Sequence, residues 1–146
     1  MVAVDASVWV AVFRAHDAHH EASMSFLDAA VTAELDLHVP NLALAEIAGV
    51  FSRQTGSVRL AARTVRAALD IPRLQRHVLD DDLADQAALL AARWRLRGAD
   101  AVHVALAKRL NVPLVTLDGE ILTRAARTVR VQTPADWLRK NPPGGR

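Results

Sequence analysis

The chain has 146 residues and a mass of 15.8 kDa, a length for one folded unit and a short tail rather than for two domains. Apolar residues make up 51% and charged residues 23%, which supplies a core and excludes intrinsic disorder. The absence of cysteine excludes disulfides, thiolate nucleophiles, iron-sulfur clusters and thiolate zinc sites, so a bound metal must have oxygen or imidazole ligands. No apolar run approaches the roughly 18 residues of a membrane helix, and residues 1–12 lack a basic n-region and a small-residue cleavage site. A cytoplasmic protein with no membrane partner is therefore expected. The net charge is +2 with a pI of about 9.9, and Lys108 and Lys140 are the only lysines among 18 basic residues. Arginine suits phosphate because its planar fork bonds two oxygens at once, but a genome biased toward arginine codons gives the same composition.

In chain order, Val2-Ala3-Val4 is short and β-branched and stops at Asp5, which reads as a buried strand. Ser7 opens a run with helical spacing (Val8, Trp9, Val12, Phe13), and residues 19–33 form a second amphipathic helix. Leu37-His38-Val39 before Pro40 is a second strand. Asn41 is placed as the N-cap of a helix over 42–53 that Gly56 ends, and 58–69 is a further helix stopped by Ile71-Pro72. Residues 74–79 give a third strand. The acids at 80–82 then suit the N-terminus of a helix over 83–96, which Gly98 is expected to close. Asp100 starts another helix through Leu110, residues 113–117 form a β-branched strand, and Asp118-Gly119 turns the chain. A last strand over 128–131 and a short helix around Trp137 precede a tail over 141–146 that is expected to be disordered. Short strands separated by helices of about 10–15 residues indicate βαβ crossovers, so the class is α/β with a short, mostly parallel sheet between helical layers.

Four acids sit where a carboxylate is costly. Asp5 and Asp118 end apolar strands, where open parallel sheets bind ligands. Glu46 is the only charge between Leu42 and Phe51, with Leu42, Ala43, Gly49 and Val50 as its neighbours one turn away. Asp100 opens a helix whose Val102, Val104, Ala105 and Leu106 are apolar. Each has an ordinary alternative: N-caps for Asp5 and Asp100, a plain turn for Asp118-Gly119, and snorkelling to water for Glu46. Asp5, Glu46 and Asp118 have no base within four residues to offset desolvation. If the four converge, mutual repulsion destabilises the fold unless a cation sits among them. Oxygen ligands without thiolates select Mg²⁺ or Mn²⁺, and such a site lowers the pKa of a water and offsets phosphoryl charge during in-line displacement. That chemistry hydrolyses phosphodiesters.

These segments also resemble a known family. Val-Ala-Val-Asp5-Ala-Ser7-Val-Trp-Val, Leu44-Ala45-Glu46-Ile47, the stretch from Leu96 to Ala107 around Gly98-Ala99-Asp100, and Leu114-Val115-Thr116-Leu117-Asp118 together resemble PIN-domain nucleases across nearly the whole chain. The small size is similar to the VapC toxins of toxin-antitoxin modules. The resemblance implies a three-layer α/β/α fold over residues 1–140 and a Mg²⁺-dependent endoribonuclease activity. It also implies an RNA substrate, a cognate VapB-like antitoxin that blocks the groove, and a homodimer. It makes Asp5, Asp100 and Asp118 the metal ligands, with Glu46 completing the catalytic acids. Ser7 and Thr116 are weaker candidates for contact with substrate, and an ST-turn is an equal reading of Ser7. The departure from the family pattern is Asp118-Gly119-Glu120, where Glu120 either adds a fifth acid or, as we favour, faces water.

Other features carry less. His16 and His20 have i, i+4 metal spacing, but with His19 they read better as a solvated face. His103, three residues after Asp100, either assists at the site or is a hydrogen-bonded core histidine. Arg93, Arg95, Arg97 and Arg109 are candidates for a phosphate groove. The helices over 8–13 and 42–51 are apolar enough to leave surface for a partner or second copy. The alternatives to a toxin ribonuclease are a free-standing RNA-processing nuclease and a PIN-like module that binds RNA or antitoxin without cutting. A phosphoryl-accepting receiver is a further alternative, for which Lys108 and Lys140 are poorly placed.

Overall fold

The computed structural model describes residues 1–142, so most of the tail expected to be disordered lies outside the described residues. Five parallel strands, β1 (Val2–Val4), β2 (Leu37–Pro40), β3 (Leu74–His77), β4 (Leu114–Val115) and β5 (Val131–Gln132), are arranged in the order β3-β2-β1-β4-β5. The chain builds outward from β1 to one edge, then returns to build the other half. The boundary between β1 and β4 is therefore the topological switch point, where the crevice beyond the strand ends opens.

Alternation along the strands explains the layers. Val2 and Val4 enter one core and Ala3 enters the other; Val115 and Leu114 divide likewise. The first face is covered by α1 (Ala6–Phe13), α2 (His20–Thr32), α3 (Leu42–Thr55), α4 (Val58–Leu69) and α8 (Pro134–Lys140), with Phe26 set edge-on against Trp137 at 5.1 Å between ring centroids. The second face is covered by α5 (Asp81–Trp94), α6 (Gly98–Leu110) and α7 (Gly119–Arg124). Every residue of α6 from Asp100 to Ala107 is buried, so this helix runs through the interior and its one carboxylate enters low-dielectric surroundings. The result is the three-layer α/β/α arrangement expected from the sequence.

Several boundaries differ from the sequence-based expectation. Gly98 does not close α5. Arg95 does, in the left-handed conformation with φ 55°, while Gly98 is the first residue of α6 and Arg97 precedes it. Asp100 consequently lies inside the first turn of α6 rather than at its N-cap. Asn41 precedes α3 but makes no side-chain cap, whereas Gly56 terminates that helix in the left-handed region as expected. Asp118 is more than a turn residue: its Oδ1 accepts from Glu120 N (2.8 Å) and Ile121 N (3.0 Å) and starts α7, a helix the Asp-Gly pair concealed. β4 and β5 are shorter than expected, and β5 starts at Val131 because Thr128 N is held by Ala125 O in the preceding turn. In α1 Val10 and Phe13, and in α3 Leu42, Leu44, Ala48 and Val50, stay partly exposed, while the large exposed apolar side chains are elsewhere, among them Val58, Val78 and Leu89. No helix among the described residues is long and apolar enough to cross a membrane.

Candidate active site

Asp5 follows β1 and is the N-cap of α1, accepting from Ser7 N at 3.2 Å. The same oxygen, Oδ2, accepts from the Ser7 hydroxyl and from Thr116 Oγ1 at 3.0 Å. Those two hydroxyls also accept from the chain that follows β4, Ser7 Oγ from Leu117 N and Thr116 Oγ1 from Asp118 N, both at 3.0 Å. Ser7 and Thr116 thus fasten the ends of β1 and β4 together around one carboxylate, and Thr116 is wholly buried in doing so. Thr116 N still donates to Gln132 O of β5 at 3.0 Å while its hydroxyl meets Asp5, and the chain beyond it places Asp118 on the rim.

Two basic side chains link the four acids. Arg97, in the α5–α6 connection, donates from Nε to Asp100 Oδ2 and from an Nη to Asp118 Oδ2, each at 2.7 Å. His103, one turn after Asp100 on α6, donates from Nε2 to Glu46 Oε2 at 2.7 Å and lies 3.5 Å from Asp5 Oδ1. Burial works against the charged form of His103, but Asp5, Glu46 and Asp100 outweigh it and hold its pKa above 6.5. Its Nδ1 is buried with no hydrogen-bond partner among the described residues. Asp100 is pushed above the ordinary carboxylate value, first by burial and then by Asp118 and Asp5, with Arg97 opposing. Asp5, Ser7, Glu46, Arg97, Asp100 and Asp118 line one cavity of about 370 Å³. An adjoining cavity of about 500 Å³ shares Glu46, Arg97 and Asp100 and extends to Arg53.

This chemistry suits a hard divalent cation. All four acidic donors are oxygen, and the partly buried negative charge is only partly balanced by a histidine and a solvent-facing arginine. Among the described residues, however, no three Asp, Glu or His side chains are already gathered as a ligand set, and Arg97 engages both Asp100 and Asp118. A metal would have to displace that guanidinium, which is exposed at 67% and free to swing outward.

The PIN domain profile matches residues 2–127. The chain belongs to the PIN-domain family. Among solved structures, VapC20 from Mycobacterium tuberculosis, described as a sarcin-ricin loop cleaving toxin, is similar at 22% identity. Their alignment covers 90% of this chain and 99% of that one, with a TM-score of 0.72. VapBC2 from Rickettsia felis, bound to a promoter DNA fragment, is similar at 12% identity over 91% and 98% of the two chains with a TM-score of 0.71. FitAcB from Neisseria gonorrhoeae is similar at 22% identity over 92% and 98%, with a TM-score of 0.68. No curated protein sequence matches the chain.

On this PIN fold the four acids singled out in the sequence line one cavity, and Ser7 lines it with them. Glu120 turns to Arg124 at 3.3 Å on the exposed side of α7, away from that group. Of the histidine cluster, His16 is exposed, His20 Nδ1 meets Ala11 O at 2.9 Å, and His19 lines the rim of the cavity beside Arg14 and Asp17. The four candidate arginines separate: Arg97 enters the site, Arg109 pairs with Asp80, and Arg93 and Arg95 line a different cleft. The sequence offers Arg97 as one of four arginines for a phosphate groove and leaves His103 between a role at the site and a place in the core; both meet the acids, His103 from the same face of α6 as Asp100 and Arg97 from the connection just before that helix.

Proposed function

We propose that the chain is a divalent-metal-dependent endoribonuclease, the toxin component of a VapBC-type module, that hydrolyses RNA phosphodiester bonds. The observation that carries this reading is the lining of one switch-point cavity by Asp5, Glu46, Asp100 and Asp118. Asp5, Asp100 and Asp118 would hold Mg²⁺ or Mn²⁺, with Glu46 completing the acidic set. When bound, the ion supplies Lewis acidity to the phosphoryl group and to a hydrolytic water. Ser7 and Thr116 fix the rotamer of Asp5, and His103 keeps Glu46 and Asp5 close without mutual repulsion. Arg97 reaches the same two carboxylates that a metal would need, so it is the group that must yield when substrate and metal enter. Once displaced, it is placed to bond a phosphate of the bound strand. Water adds to phosphorus, the bond to the 3′ oxygen breaks, and that oxygen takes a proton, leaving a 5′-phosphate and a 3′-hydroxyl.

The likeness to VapBC2 and FitAcB supports a VapB-like antitoxin partner that covers the groove, and the family resemblance supports a homodimer in the cytoplasm. The test is cleavage of mixed RNA with Mg²⁺ by the wild type, by Asp5→Asn, and by the wild type in EDTA. Asp5→Asn keeps an N-cap acceptor, so a folded variant is expected. Activity is expected to fall by about a hundredfold or more in the variant and to vanish in EDTA. Undiminished cleavage by Asp5→Asn would exclude the mechanism, and RNA bound but never cut by the wild type would make the chain a binding module. A small adjacent reading frame for a DNA-binding antitoxin separates a toxin from a free-standing RNA-processing enzyme.

A further inference from the structure

A second cleft, of about 380 Å³, lies at the C-terminal end of α5 and is lined by Arg93, Trp94, Arg95, Thr123, Arg124 and Arg127. Four arginines surround one tryptophan, and Arg93 stacks over the Trp94 ring with its guanidinium carbon 5.2 Å from the centroid. Among the described residues, Arg93, Arg95 and Arg127 have no carboxylate partner; only Arg124 is paired, with Glu120. Unpaired positive charge around an aromatic floor is the combination that tracks a single-stranded nucleic-acid backbone. Arginine bias in the genome does not explain why these side chains gather in one concavity.

The cleft is tied to the acidic cavity by α7. At the start of that helix Asp118 bonds Arg97, and at its end Arg124 donates to the carbonyl of Arg95. The connection 95–97 is therefore clamped at both ends along one side of α7. The two clamps are six residues apart, about 9 Å along the helix axis.

We propose that the cleft of Arg93, Arg95, Arg124 and Arg127 binds the phosphodiester backbone of single-stranded RNA beside the bond cut in the acidic cavity. The direction toward that bond rests on the ribonuclease reading; the binding does not. Arg93 and Arg127 are exposed and their side chains make no hydrogen bond or ion pair among the described residues, so the double variant Arg93→Ala/Arg127→Ala is expected to keep the fold.

The test measures fluorescence anisotropy of a labelled single-stranded RNA of about 12 nucleotides, in EDTA so that no cleavage contributes, across a series of salt concentrations. The double variant is expected to bind about tenfold more weakly and to lose about 1.4 from the slope of log affinity against log salt, the loss of two phosphate contacts. Unchanged affinity and slope would overturn the proposal. So would RNA binding that survives while binding of a labelled polyglutamate peptide is lost, which would assign the cleft to an acidic protein segment. If wild-type protein binds RNA through these residues but never cuts it, the ribonuclease reading fails and the cleft stands.

Discussion

Arg97 makes two 2.7 Å ion pairs, yet its side chain is two-thirds exposed, and pairs screened in this way contribute at most about 1 kcal/mol each. Its position matters more than its strength: it supplies positive charge to Asp100 and Asp118. Arg97→Ala should therefore lower stability in EDTA by at most about 2 kcal/mol, the two pairs together. Added Mg²⁺ at about 10 mM should then raise the melting temperature of the variant more than that of the wild type, because the ion no longer competes with a guanidinium. An equal or smaller Mg²⁺ shift in the variant would show that Arg97 does not stand in the metal's way. The acids were legible in the sequence because charge in an apolar run stands out. Their pairing was not, since Glu46 meets His103 across 57 residues, between helices that belong to opposite faces of the sheet.

At the level of elements, most helix and strand positions followed from period and caps, and the failures cluster where a side chain has a tertiary task. Gly98 looked like a helix terminator, but Arg95 holds the left-handed position, a conformation that costs a non-glycine residue roughly 1–2 kcal/mol. That strain has a structural consequence: it turns the chain so that Arg97 faces the acidic cavity while Arg95 remains at the basic cleft. Arg95→Gly should relieve it and stabilise the protein by roughly 0.5–1 kcal/mol after the greater unfolded-state freedom of glycine is counted. The same substitution should weaken RNA binding by removing one arginine from the cleft. Denaturant unfolding and RNA anisotropy on one sample check both, and a variant with lower stability would show that Arg95 is not strained. The α7 helix was missed for a related reason. Asp118 both caps it and faces Arg97, so a six-residue helix was hidden behind a turn signal.

At the scale of the molecule, the parallel sheet and its layers were legible because short β-branched strands alternate with amphipathic helices, whereas strand order was not, since pairing is set by which crossovers pack. The order found divides labour along α6. Asp100 in its first turn serves the site, and Arg109 in its last turn, about 14 Å away along the axis, serves the scaffold. There Arg109 donates twice to Asp80, both at 2.8 Å, and Asp80 also caps α5 by accepting from Leu83 N at 2.8 Å. These bonds hold the start of α5 to the end of α6. They depress the Asp80 pKa from 3.8 to about 2, with the Arg109 hydrogen bond as the larger cause and the Leu83 amide next. A carboxyl whose folded pKa is depressed contributes stability that is complete above its unfolded pKa and is lost as pH falls through the folded value. Asp80→Asn keeps a cap acceptor but removes the charge. The wild type should therefore be the more stable of the two at every pH above about 4, with the gap closing as the pH drops toward about 2. RNA cleavage at neutral pH should be unchanged. Melting curves of both proteins across that acid range decide the matter: a gap that stays constant to the bottom of the range would show that Asp80 ionisation contributes nothing, and a gap that widens would reverse the sign of the linkage.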